Sequence, residues 1–111
     1  MAVSFPQKGD YIYVDFDPQS GHEQQGRRPA LVISNTAFNK RTGMAFVCPI
    51  TNRDRTFPFH VPVDDAGSIT GFVMVEQVKS IDYQSRNAQT VGKASDVLLE
   101  EVLALLDACI Y

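Results

Sequence analysis

The segment His22-Glu23-Gln24-Gln25-Gly26-Arg27-Arg28-Pro29 gathers the residues of this chain best suited to chemistry. An arginine carries five N–H donors in a rigid planar fork that matches the oxygens of a phosphate. Arg28 is also tethered, because Pro29 fixes its own φ and pushes the residue before it towards extended geometry. Gly26 supplies the positive φ that a tight return needs. Such a loop is built to meet a planar or anionic ligand, although a solvated surface arginine satisfies the same pattern. Two neighbours widen the chemistry. His22 can carry a proton near neutral pH if a phosphate raises its pKa, and Glu23 can orient Arg28, act as a base or cap the loop. The other histidine, His60, is 38 positions away and reads as an outward surface imidazole. With no His-x-x-x-His and no acidic cluster of ligand spacing, the sequence predicts neither a metal centre nor a cofactor.

Strands must position this loop. Tyr11 to Phe16 leads into it, with Ile12, Val14 and Phe16 on one side and Tyr11, Tyr13 and Asp15 on the other, the alternation of a half-buried strand. Ala30 to Ile33 leads away as a short continuous apolar run, and Met44 to Val47 is another, as in strands covered on both faces. Ser34 to Gly43 between them has room for a helical turn around Phe38. Phe57 to Val63 predicts a further strand whose Pro58 and Pro62 leave one side unable to pair, which places it at an edge. Phe16 and Phe57 are expected in the core. Asp64 to Gly67 and Thr70-Gly71 are turn signals, and Phe72 to Val78 is a strand. From Ser95, an N-cap with Asp96 in the first turn, the period becomes helical. Leu98, Val102, Leu105 and Cys109 beside Leu99, Leu106 and Ile110 form a wide apolar arc. Many short strands and one terminal helix predict a mainly β fold, a small and partly open antiparallel barrel.

At 111 residues the chain reads as one domain over 1–111, large enough to bury roughly two thirds of its unfolded surface. It has no apolar run of membrane-spanning length, and Met1 to Phe5 lacks the order of a signal peptide, so a cytoplasmic protein is expected. Cys48 and Cys109 are too few for a disulfide scaffold. The net charge of -3 argues against holding nucleic acid by bulk electrostatics. Its distribution is uneven, however: residues 1–60 carry seven basic and five acidic side chains, and residues 61–111 three and eight. The basic residues of the first half fall at 27–28, 40–41 and 53–55. If those three loops converge, they make a positive groove on an acidic body.

In order along the chain, Gly9-Asp10, Val14-Asp15-Phe16-Asp17-Pro18, Glu23-Gln24, Gly26, Arg28-Pro29-Ala30, Thr42-Gly43, Pro49 with Thr51, and Gln77-Val78-Lys79-Ser80 resemble the MazF/PemK family of toxin endoribonucleases. The resemblance runs from Gly9 to Arg86. It implies an SH3-like barrel that forms a homodimer, cuts single-stranded messenger RNA at a short motif without a metal, and is silenced by an antitoxin through an acidic C-terminal segment. Arg28 and Thr51 match the family's catalytic arginine and threonine, with Glu23 as a further candidate and His22 as an auxiliary one. Asn52 stands where several members have a small hydroxyl residue. Unpaired bases are read by stacking and by hydrogen bonds to their edges. Arg27, Asn52, Arg53, Arg55, Gln77 and Lys79 are the candidates for that work. Two other readings stay open. A gyrase poison of the CcdB type shares the barrel and acts by protein contact through its C-terminal helix, but has no use for Arg28 or Thr51. A plain SH3-like peptide-binding module would use Tyr11, Tyr13 and Tyr83 as a groove for a proline-rich ligand.

Overall fold

A computed structural model describes residues 5–16, 27–53, 57–64 and 69–111. The predicted site residues His22, Glu23 and Arg55, and the glycine at position 26, lie outside the described residues. In chain order come β1 (Asp10–Asp15), β2 (Arg27–Val32), α1 (Thr36–Thr42), β3 (Met44–Thr51), β4 (His60–Pro62), β5 (Phe72–Met74), β6 (Lys79–Asp82), β7 (Gln89–Lys93) and α2 (Asp96–Ile110), with a 3-10 turn over Val75–Gln77. The strands form one antiparallel sheet in the order β4-β5-β3-β2-β1-β7, with β6 also pairing β3. Strand β3 therefore serves two partners on one edge, β6 through Met44 to Val47 and β5 through Ile50 and Thr51. The sheet bends there but does not close, so the partly open, mainly β architecture is the one observed.

Successive side chains on a strand point to opposite faces, and here both faces are covered. Tyr11, Leu31, Cys48, Ile50 and Val73 belong to one apolar cluster, closed by Leu98 and Val102 of α2. Ile12, Val14, Ala30, Val32, Ala45, Val47, Ile81 and Tyr83 make a second cluster on the other face. The expectation of a half-buried first strand is corrected by α2, which covers the side assigned to solvent and leaves Tyr11 fully buried. Burying side chains of this size is worth about 1.5–3 kcal/mol each, so Leu98 and Val102 fix the helix on the sheet. Ser95 caps α2 as expected, its Oγ accepting from the Leu98 amide at 3.1 Å. The last turn of the arc is uncovered, with Ile110 and Tyr111 largely exposed.

Two strands are shorter than predicted. Strand β4 is the sheet edge, as its prolines require, but starts only at His60, after a turn in which the His60 amide donates to the Phe57 carbonyl. Phe57 is consequently 43% exposed instead of core. Phe16 is half-buried against the second cluster. The run from Phe72 to Val78 stops being a strand at Val75, where the 3-10 turn sinks Val75 into the first cluster and turns Glu76 and Gln77 outward.

Candidate active site

Strands β2 and β3 part after a short ladder. The two strands pair at Ala30 with Pro49, Leu31 with Cys48 and Val32 with Val47, and the ladder ends there. Pro29 lies one step beyond the last pair, where a missing N–H interrupts nothing between these strands. Arg28 and Thr51 each stand two residues past that last pair, and strand alternation puts them on the face that carries Ala30, Val32 and Val47. Both residues are half-buried. Beyond Ala30, β2 stays paired only with β1, Arg28 opposite Val14, while β3 pairs on through Thr51 to Phe72. The predicted arginine and threonine thus flank the splayed end of a sheet, a place where a ligand can enter between two strands.

Thr51 is held in place by its surroundings. Its Oγ1 accepts from the Arg53 amide at 3.2 Å, which leaves the hydroxyl proton available to an anionic acceptor. Behind it, Gly71 has φ +119°, and a Cβ there would stand 2.4 Å from the Thr51 carbonyl oxygen. Only glycine permits that approach. The same turn holds Asn52, whose Oδ1 accepts from Thr70 Oγ1 at 3.0 Å. Thr70-Gly71 was legible in sequence as a turn, and nothing there signalled that it presses on Thr51.

Thr51 also lines a cleft of about 410 Å³ with Arg53, Phe57, His60, Met74, Glu76 and Gln77. Arg53 and Gln77, both predicted, are brought there; Arg28 stands on the neighbouring strand and is not part of the lining. Lys79 lies on β6 opposite Val47, with Nζ 5.0 Å from the centre of the Phe16 ring. Arg27 is bound by protein: its terminal nitrogens donate to Asp15 Oδ1 at 3.2 Å and to the carbonyls of Tyr13 and Asn87. It clamps the start of β2 to the end of β1. Lys40 and Arg41 do not join the other basic residues. They sit in the last turn of α1, just before β3 begins at Met44, while Arg28 and Arg53 lie at the far end of that strand, about 23 Å away at 3.3 Å per residue. Two of the three basic stretches approach one end of the sheet; the third does not.

The expectation of an outward His60 is corrected. Its side chain is 6% exposed, with the ring edge-on to Phe57 at 5.2 Å and Nε2 3.1 Å from Glu76 Oε2. Strand β4 pairs His60 with Met74, which sets the imidazole beside the 3-10 turn that carries Glu76. Sequence alternation could not reveal this, because it treated Phe72 to Val78 as continuous strand. Among the described residues no three His, Cys, Asp or Glu side chains are grouped to hold a metal ion. Cys48 is buried under the sheet with its thiol pushed up to about 12, first by burial and then by the charge of Glu76, so it is inert as a nucleophile.

Comparisons with known proteins agree with this architecture. Residues 7–110 match the family described as PemK-like, MazF-like toxin of type II toxin-antitoxin system. The chain is 46% identical over 109 residues to the endoribonuclease toxin ChpB of Escherichia coli, covering 94% of this chain and 93% of that protein. It is 38% identical over 105 residues to the endoribonuclease toxin MazF of the same organism, at 95% and 94% coverage. Among solved structures, the MazE-MazF complex (Form-II) of Deinococcus radiodurans contains a chain that superposes with a TM-score of 0.87 at 38% identity, covering 95% of each chain. No helix of the described residues is long and apolar enough to cross a membrane. With nearly its whole length matched in sequence and in backbone, the chain belongs to the PemK-like, MazF-like toxins of type II toxin-antitoxin systems.

Proposed function

We propose that the chain is a sequence-specific endoribonuclease that cuts single-stranded messenger RNA by attack of the substrate's own 2′-hydroxyl on the adjacent phosphorus, leaving a 2′,3′-cyclic phosphate and a 5′-hydroxyl. The observation that supports this reading is that Arg28 and Thr51 each lie two residues beyond the last β2–β3 pair, at the splayed end of the sheet. In that reaction charge builds on the equatorial phosphate oxygens, and the leaving oxygen needs a proton. The Arg28 guanidinium donates two charge-assisted hydrogen bonds to those oxygens, and Thr51 adds a neutral donor at the developing charge. Glu23 is assigned the proton acceptor or the orientation of Arg28, and His22 an auxiliary proton carrier. A guanidinium is a poor proton donor, so Arg28 stabilises charge and leaves proton transfer to other groups. The reaction needs no metal. Arg53, Asn52, Arg55, Gln77 and Lys79 bind the flanking nucleotides, while Arg27 serves chiefly to hold β2.

The relatives named as endoribonuclease toxins and the MazE-MazF complex support the rest of the assignment: a toxin that arrests growth by cutting messages in the cytoplasm, works as a homodimer, and is silenced when the acidic C-terminal segment of its antitoxin occupies the same groove. The test is incubation with a long single-stranded RNA in excess EDTA, mapping cut sites and end chemistry. Cuts at one recurring motif with cyclic-phosphate ends, lost in a folded Arg28→Ala variant, are expected. Intact RNA at saturating protein would overturn the reading and direct attention to gyrase.

A further inference from the structure

A carboxylate in the cleft beside Thr51 is out of place if the cleft only binds phosphate. RNA is a polyanion, and a negative side chain beside its backbone weakens binding unless it makes contacts that offset the repulsion. Glu76 lines this cleft, with its side chain 28% exposed. It is also held in one orientation. His60 Nε2 lies 3.1 Å from Glu76 Oε2, and His60 Nδ1 is buried with no hydrogen-bond partner among the described residues. A buried N–H with no acceptor is costly, and an ionised carboxylate only accepts. Both facts place the imidazole proton on Nε2, donated to Glu76. The ring is fixed in turn by the edge contact with Phe57 and by the pairing of β4 with β5. One donor does not exhaust a carboxylate, which has about four acceptor sites, so Glu76 retains acceptor capacity facing the cleft. Phe57, 43% exposed at the rim, offers a ring on which a base can stack.

We infer that Glu76, oriented by His60, reads one base of the cleaved motif by accepting a hydrogen bond from its exocyclic amino group, and so selects adenine, cytosine or guanine over uracil at a position next to the scissile phosphate. Uracil has a single N–H flanked by two carbonyl oxygens, which a carboxylate meets with repulsion. The inference rests on the endoribonuclease reading, because it takes Thr51 to mark the phosphate. Glu76 is the residue that touches the base, and His60 is a positioning residue acting through it.

The test is cleavage of an RNA pool with every position randomised by the native protein, Glu76→Gln and His60→Phe, each confirmed as folded by circular dichroism, with the cut ends sequenced. The readout is base preference, position by position, not total activity. The native protein is expected to disfavour uracil at one position. In Glu76→Gln, whose amide can also donate to uracil oxygens, that discrimination should fall about tenfold, in line with one good base contact, while preferences elsewhere in the motif persist. His60→Phe keeps the ring packing and loses the donor, and should relax the same position less. A Glu76→Gln profile identical to the native one, or loss of cutting at all sequences alike, would overturn the inference. If the native protein cuts nothing, the endoribonuclease reading falls separately. Binding of fluorescent 2′-O-methyl oligonucleotides differing at single bases then decides the base-reading claim: discrimination against uracil that Glu76→Gln removes supports it, and equal binding of all four bases overturns it.

Discussion

The two ends of the sheet treat their polar groups in opposite ways. Around α1 a buried side chain, Asn39, is fully engaged: its Nδ2 donates to the Pro6 carbonyl at 2.9 Å, its Oδ1 accepts from Ser34 Oγ, and its own carbonyl accepts from Tyr83 Oη at 2.7 Å. Ser34 Oγ in turn accepts from the Phe46 amide at 2.9 Å. At the Thr51 end, His60 Nδ1 is buried with no partner among the described residues, and Glu76, Gln77 and Arg53 line an open cleft. A polar network satisfied from within specifies the fold. Polar groups held rigidly but left with capacity specify a ligand.

Substitutions that split stability from activity can break this comparison. Arg28→Ala should have the largest effect, lowering RNA cleavage by about 10²- to 10³-fold with little change in melting temperature; a large stability loss would place Arg28 with the structural residues. Asn39→Ala should do the reverse, costing about 3 kcal/mol in urea unfolding through unpaired buried groups, with cleavage per folded molecule unchanged. Gly71→Ala tests the boundary, since its Cβ would collide with the Thr51 carbonyl. It should cost about 1–3 kcal/mol and also reduce cleavage, because it displaces Thr51 of the proposed site.

Alkaline pH gives a gentler test of the first cluster. Burial, and then the Asp64 charge, raise the Tyr11 hydroxyl from its ordinary 10 to about 12. The folded state therefore keeps this proton longer than the unfolded chain does. The stability so contributed is present in full below pH 10 and is lost as pH rises towards about 12, with a slope of up to about 1.4 kcal/mol per pH unit. Cys48, raised from 9 to about 12, begins the same decline earlier. Tyr11→Phe should flatten the Tyr11 part of the slope in stability measured between pH 9 and 12, leaving that of Cys48. Smallest is Ser95→Ala, which removes the α2 cap and should cost about 1 kcal/mol, with no change in base preference.

Much of this was legible from residue types because it depends on local rules. Pro58 and Pro62 mark an edge, Ser95 starts a helix, and the continuous run Ala30 to Ile33 reads as a strand buried on both faces. What escaped depends on contacts distant in sequence. Tyr11 looked half-buried until α2, more than eighty residues later, was laid over it. His60 reads as an outward residue and Glu76 as part of a continuous strand, and they become partners only because the chain leaves strand geometry at Val75. Arg28 and Thr51 stand out by likeness to a family; that both lie just past the end of one ladder follows from a strand register that no local pattern encodes.

The contact between Gly71 and Thr51 also bears on how such a protein is made. A ribosome delivers the arginine and the threonine early, but the glycine that seats the threonine, the turn that carries Glu76 and the helix that covers Tyr11 emerge afterwards. Long-range pairings of this kind form slowly and only once both partners are present. A chain released before Phe72 would hold Arg28 and Thr51 without the strand and the helix that frame them. On the endoribonuclease reading, the partly made chain lacks the frame that its site needs.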